Sequence, residues 1–185
     1  MNKALIVIDA QEDFTRGALR NEEAIQALPV IRDVVEFMCK NSNYMVTYTM
    51  DTHTDAYALT QEGRNLPVKH CVKNTDGWKI CGEVVPQGPG KAQIIEKPTF
   101  GNLNWFGYLN NVDEIWLCGF CTDICVSANF QILKAIYPET PIVVIEDACA
   151  GVTPELHQAA LKVMNSCHGR IVKWEDLKRE NEAEV

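Results

Sequence analysis

Short apolar runs alternate along the chain with longer segments whose apolar residues recur every three or four positions. Residues 3–8, 44–50, 92–97, 114–119 and 141–146 are runs of strand-forming side chains, and 170–173 is a shorter last one. Between them, Val30, Ile31, Val34, Val35, Phe37 and Met38 form one helical stripe over residues 29–40, with Pro29 near its start. Residues 123–136 and 154–167 read as further helices. Nearly continuous apolar strands separated by helices predict an α/β fold with a mostly parallel, doubly wound sheet of about six strands, covered on both faces. Residues 51–91 break the rhythm with Pro67, Pro86, Pro89 and several glycines. A loop that long inside a compact domain is usually functional. Residues 175–185 are charged and are expected to fray.

The 185 residues fit a single domain with no need of covalent staples. A hydrophobic fraction of 46% excludes a disordered or fibrous chain. The net charge of −8 argues against nucleic acid or an anionic membrane as partner. No apolar run approaches the ~20 residues that span a bilayer. The N-terminal run is too short for a secretion signal, so the sequence predicts a cytoplasmic protein. Its eight cysteines are then reduced thiols, most of them core residues.

In open parallel sheets, ligands bind beyond the carboxyl ends of the strands. The chemically useful side chains there are Asp9 after the first run, Asp51 and His53 after the second and Lys97 at the end of the third. The segment Gly119-Phe-Cys-Thr-Asp-Ile-Cys125 follows the fourth. Cys125 falls in the first turn of a predicted helix, where backbone N–H groups and the helix dipole can lower a thiol pKa. Lys97 adds a positive charge, and Asp9 supplies a base. Position alone also fits a buried structural thiol.

Three segments carry a resemblance. Asp-Ala-Gln-Glu-Asp-Phe at 9–14, Glu-Lys-Pro-Thr-Phe-Gly at 96–101 and Gly-Phe-Cys-Thr-Asp-Ile-Cys-Val at 119–126 resemble the motifs of the isochorismatase-like cysteine hydrolases, the group that includes nicotinamidases. Order and spacing agree from residue 3 to about 173. The resemblance implies a three-layer α/β/α fold and a catalytic triad of Asp9, Lys97 and Cys125. It also implies a cis Phe120–Cys121 peptide, with the N–H groups of Cys121 and Cys125 aimed at a developing oxyanion. The implied reaction is hydrolysis of a small amide, nicotinamide to nicotinate and ammonia, through a thioester, as a step in pyridine nucleotide (NAD) salvage. Relatives with the same triad cleave ureido acids or other C–N bonds, and a retired, binding-only domain is a further alternative.

The long loop carries Asp51, His53, Glu62 and His70, a mixed oxygen and nitrogen set suited to a borderline divalent ion such as zinc, manganese or iron. The resemblance implies a metal there that takes the pyridine nitrogen of the substrate. Phe14 and Phe100 are candidate pocket walls. Leu66 stands where many nicotinamidases have an aromatic residue, which leaves Trp78 or Trp105 to compensate. Cys118-Gly-Phe-Cys121 has the spacing of a dithiol redox pair, but Cys118 is expected to point into the sheet. Cys121 and Cys125 are close enough in sequence for a regulatory disulfide. His157 and His168 read as a helix-face and a loop residue, Trp116 and Trp174 as core, and Gly88-Pro-Gly90 as a turn. Family habit points to self-association as a homo-oligomer.

Overall fold

The computed structural model describes residues 1–86 and 92–182. Six parallel strands form the sheet: β1 (Lys3–Ile8), β2 (Tyr44–Asp51), β3 (Gln93–Lys97), β4 (Glu114–Phe120), β5 (Ile142–Ala150) and β6 (Arg170–Val172). Their spatial order is β3-β2-β1-β4-β5-β6. The chain winds outward from β1 to β3, then returns to β4 beside β1 and winds the other way. The strand order therefore reverses between β1 and β4, and a crevice opens where such sheets bind ligands. Lys3–Ile8 is buried along its whole length, as a central strand covered on both faces must be.

The helices are α1 (Glu12–Thr15), α2 (Glu22–Cys39), α3 (Gln61–Asn65), α4 (Ser127–Ile136), α5 (Pro154–Ser166) and α6 (Trp174–Glu182). On one face of the sheet, Phe37 of α2 stacks on Trp116 of β4 at 6.3 Å and meets Trp174 of α6 edge-on at 5.4 Å. Helices α4 and α5 pack together at Gly169, where an added Cβ would lie 2.5 Å from the Phe130 ring. Trp116 and Trp174 are core residues, as expected.

Three expectations need correction. Helix α2 starts seven residues before Pro29, which lies in its interior. An interior proline costs a helix about 3 kcal/mol. The Asn21 side chain offsets part of that by capping Ala24 N–H at 3.1 Å, and seven buried residues from Ala24 to Met38 anchor the helix. The charged C-terminal segment is not frayed through residue 182. Leu177 and Asn181 lie one helical turn apart on the buried face of α6, and Asn181 accepts a hydrogen bond from Lys3. Strand β5 runs four residues past the expected Glu146, because its pairing with β4 shifts between Leu117 and Gly119 and resumes at Cys149. The Gly88-Pro-Gly90 turn lies outside the described residues. Among the described residues no helix is long and apolar enough to cross a membrane.

Candidate active site and metal centre

Asp9, Lys97 and Cys125 meet at the switch point. Asp9 leaves β1 with φ 49°, a left-handed conformation uncommon outside glycine and favoured at functional sites. That turn tucks its carboxylate under the end of β2, where the Thr49 hydroxyl donates to Oδ1 at 2.7 Å. Lys97 Nζ lies 2.6 Å from Asp9 Oδ2 and 3.7 Å from Cys125 Sγ, and it donates to the Thr99 carbonyl at 3.1 Å. All three side chains are buried. Beside them Gly119 has φ 114°, and a Cβ there would sit 2.0 Å from the Ile8 carbonyl oxygen, so β1 and β4 can approach this closely only at glycine.

Burial pushes the Asp9 carboxyl above its ordinary value, against the opposing pull of Lys97 and the Thr49 hydrogen bond. Burial works to lower Lys97, but its carboxylate neighbours, Asp9 before Asp51, outweigh it and push the ammonium up. The Cys125 thiol is pushed well up by burial and by the charge and hydrogen bonding of Asp9, with Lys97 opposing. This reverses the expected lowering. Residues 122–126 form a wider π-helical turn ahead of α4, and burial first, then the Asp9 carboxylate, drive the shift. The Cys125 sulfur thus sits beside the Lys97 ammonium and the Asp9 carboxyl, an arrangement in which a carboxyl group is at hand to exchange a proton with the thiol. The Phe120–Cys121 peptide is cis.

Ligand atoms of Asp51, His53, Glu62 and His70 all lie within 4.8 Å of one another. Oδ2 of Asp51 is 3.0 Å from His53 Nε2 and 3.5 Å from His70 Nε2, and Glu62 Oε1 is 3.5 Å from both nitrogens. Donors about 2.1 Å from an ion are spaced about 3.0 Å apart in an octahedral set, which keeps positions open, and about 3.4 Å apart in a tetrahedral one. His70 Nδ1–H donates to the Val68 carbonyl at 2.8 Å, leaving Nε2 free to face the centre. Nε2 of His53 is buried and has no aligned hydrogen bond despite the nearby carboxylate. Contact with Asp51 and Glu62 pushes His53 up to about 9. Burial alone would lower His70, but the same carboxylates push it up to about 10, and the two rings hold Glu62 down at about 2. The four residues thus fit a divalent cation by spacing, by orientation and by their demand for positive charge.

Both centres open on one cavity of about 1070 Å³, lined by Phe14, Leu66, Phe100, Ile124, Cys121 and Cys125 together with the four candidate ligands. Phe14 is buried in its wall and Phe100 is half exposed at its rim. Neither Trp78 nor Trp105 reaches it. Trp78 Nε1 donates to Thr52 and Trp105 Nε1 to Asn129, which ties both rings elsewhere. Cys118 is fully buried in the sheet, as expected, and all eight cysteines are free thiols. His157 lies on α5 within 2.8 Å of the Thr122 hydroxyl, and His168 sits in a turn with φ 65°.

Gln11 and Asp13 lie within the 9–14 motif, which by itself assigns them no role. Gln11 is fully buried; it accepts from the Asp51 N–H at 2.8 Å and donates to the Asp51 carbonyl at 2.9 Å. It pins the end of β2 to the start of α1. Asp13 accepts from the Cys71 N–H at 2.6 Å and from the Ala18 N–H at 3.0 Å, which fastens the His70 loop. Both act through backbone groups, which leave no trace in side-chain spacing.

A parallel α/β sheet with a thiol, a carboxylate and an ammonium at its switch point defines the class: a candidate cysteine hydrolase. Residues 3–176 match the isochorismatase domain, and the chain belongs to that family of hydrolases. It is 26% identical to the nicotinamidase/pyrazinamidase of Mycobacterium tuberculosis, over 92% of this chain and 98% of that one. The crystal structure of nicotinamidase/pyrazinamidase PncA from Bacillus subtilis superposes with a TM-score of 0.78 at 27% identity, covering 94% of this chain and all of the other. The pyrazinamidase of Pyrococcus horikoshii in complex with zinc has a TM-score of 0.77 at 29% identity, over 94% and 99%.

Proposed function

We propose that the protein hydrolyses a small heteroaromatic carboxamide, nicotinamide in the first instance, to the acid and ammonia through a thioester on Cys125. The observation that carries this reading is the convergence of Asp9 and Lys97 on Cys125, whose side chain lines a cavity that also holds the four-residue cation site. Asp9 takes the thiol proton as the sulfur attacks the amide carbon. Lys97 balances the charge, because its ammonium faces both the carboxylate and the sulfur. The N–H groups of Cys121 and Cys125 receive the oxyanion. Asp9 returns the proton to the departing ammonia, then deprotonates the water that cleaves the thioester. Its pKa, raised by burial, suits a group that both accepts and donates a proton.

Asp51, His53, Glu62 and His70 would hold a divalent ion, zinc before manganese or iron. When bound it supplies a Lewis-acid anchor for a ring nitrogen. Phe14 and Phe100 offer aromatic faces to the ring. A carboxamide whose ring bears a lone pair can engage both the anchor and the thiol, which line one cavity, whereas a ureido acid has no ring nitrogen to offer the anchor. Ammonia release by the purified protein with nicotinamide and pyrazinamide tests the reading. Turnover of either supports it; turnover of a ureido acid alone would replace it.

A further inference from the structure

Asn129 lies one helical turn after Cys125, is fully buried, and uses all four hydrogen-bonding positions of its amide. Its Oδ1 accepts from the Asn102 N–H at 2.9 Å and from Trp105 Nε1–H at 3.2 Å. Its Nδ2 donates to the Cys125 carbonyl at 2.8 Å and to the Phe100 carbonyl at 3.1 Å. A single side chain therefore ties the nucleophile turn to the loop that follows Lys97. Lys97 Nζ donates to Thr99 in that same loop and lies 3.7 Å from Cys125 Sγ. The connections close a ring, from the Cys125 backbone through Asn129, Phe100, Thr99 and the Lys97 ammonium back to the Cys125 sulfur. At Gly101 the loop lies so close to α4 that a Cβ would fall 2.4 Å from Ile132 Cδ1, so no side chain keeps the two apart.

We propose that Asn129 is a positioning residue: by clamping the 98–105 loop to the nucleophile turn it sets the separation between the Lys97 ammonium and the Cys125 sulfur, and with it the place of the Phe100 wall. A core amide needed only for stability would hold its neighbours together without affecting the thiol. A positioning amide governs how readily the sulfur becomes an anion, because thiolate stabilisation falls with distance from the ammonium. The inference rests on the proposed thiol chemistry but not on the identity of the amide substrate.

The test compares wild type, Asn129→Leu and Trp105→Phe. Leucine matches asparagine in the number and branching of its side-chain heavy atoms and removes all four hydrogen bonds. Phenylalanine at 105 removes only one, which lies outside the ring of connections, and serves as the control for lost stability. Iodoacetamide alkylation of Cys125 is followed by peptide mass spectrometry across pH 6–10, with kcat and KM for nicotinamide measured alongside. The expected result for folded Asn129→Leu is at least a tenfold slower alkylation at pH 7.5, a pH profile displaced upward, and a kcat reduced at least tenfold. Trp105→Phe stays within threefold of wild type in both. Should Asn129→Leu fail to fold, Asn129→Ser carries the same expectation, because its hydroxyl can reach the carbonyl four residues back but cannot span to the loop. Alkylation within threefold of wild type in either folded Asn129 variant, with an unmoved pH profile, overturns the proposal. If wild type does not turn over nicotinamide, the substrate reading fails by itself and the alkylation profile still decides the role of Asn129.

Discussion

Replacing Thr49 by valine exchanges the hydroxyl for a methyl group of nearly the same shape; it removes the bond to the Asp9 carboxylate and a longer one, 3.2 Å, that the hydroxyl accepts from the Asp9 N–H. The Thr49 hydroxyl donates to Asp9 Oδ1 at 2.7 Å in a buried setting, and only the ionised carboxylate rewards that bond fully. Hydrogen bonds to charged groups are worth about 1.5 to 3 kcal/mol. At about 1.4 kcal/mol per pKa unit, their loss raises the Asp9 pKa by about one to two units. Asp9 already stands above its ordinary value because of burial, and the Thr49 bond is one of the forces holding it down. If ionised Asp9 is the base in the free enzyme, the acid limb of kcat/KM reports its titration. That limb should move to higher pH by about one to two units in Thr49→Val, with the activity above it largely retained. The sign carries over to stability. The variant deficit is present at pH above the raised Asp9 pKa and shrinks as the pH falls through it, since protonated Asp9 gains little from the hydroxyl. Rate profiles between pH 4 and 9, with thermal melts at both ends, measure both effects. An acid limb within 0.3 units of wild type, at a stability cost independent of pH, would refute Asp9 as the titrating base.

Other expectations follow from the same geometry. Lys97→Met leaves the Asp9 carboxylate buried without its partner, at a cost of about 3 to 5 kcal/mol at neutral pH by chemical denaturation. Asp9 then binds a proton more tightly folded than unfolded, so much of that loss should return as the pH drops from 8 to 5; a deficit that does not change with pH would show that the pair is not ionised. Metal analysis of purified protein should find about one divalent ion per chain, and His70→Ala should lower that occupancy at least tenfold, whereas His157→Ala, outside the cluster, should not. Retention of a full equivalent by His70→Ala would dissolve the assigned site. Gly119→Ala drives a Cβ to 2.0 Å from the Ile8 carbonyl at a left-handed φ, and should cost about 3 kcal/mol or more in thermal stability; a melting temperature within 2 °C of wild type would deny the close approach of β1 and β4.

The central strands β1, β4 and β5 were legible because each carries a long apolar run, as a parallel strand covered on both faces must, whereas the edge strands β3 and β6 are shorter and part exposed. Helix α6 was hidden because most of its residues are charged. Its buried side is carried by Trp174, Leu177 and Asn181 alone, and Asn181 gains its place from Lys3 at the other end of the chain. The start of α2 was obscured by Pro29, since local rules favour proline at a helix start. The residues of the candidate site could be named because the ends of parallel strands must share one edge of the sheet. What that logic does not carry is environment. The place of Cys125 at a helix start predicts an acidic thiol, yet burial, joined by a carboxylate delivered from a strand more than a hundred residues away, pushes it the other way. Trp78 and Trp105 were plausible walls by composition, and only their hydrogen bonds to Thr52 and Asn129 reveal that their rings are committed elsewhere.

The central claim is that Cys125 forms the covalent bond with the substrate. Rapid acid quench of wild-type protein during nicotinamide turnover, followed by peptide mass spectrometry, reads this directly. A nicotinoyl adduct confined to the Cys125 peptide, absent from Cys125→Ala while that variant still binds nicotinamide, is the predicted result. Continued turnover by Cys125→Ala, or an adduct carried on another residue, would contradict it.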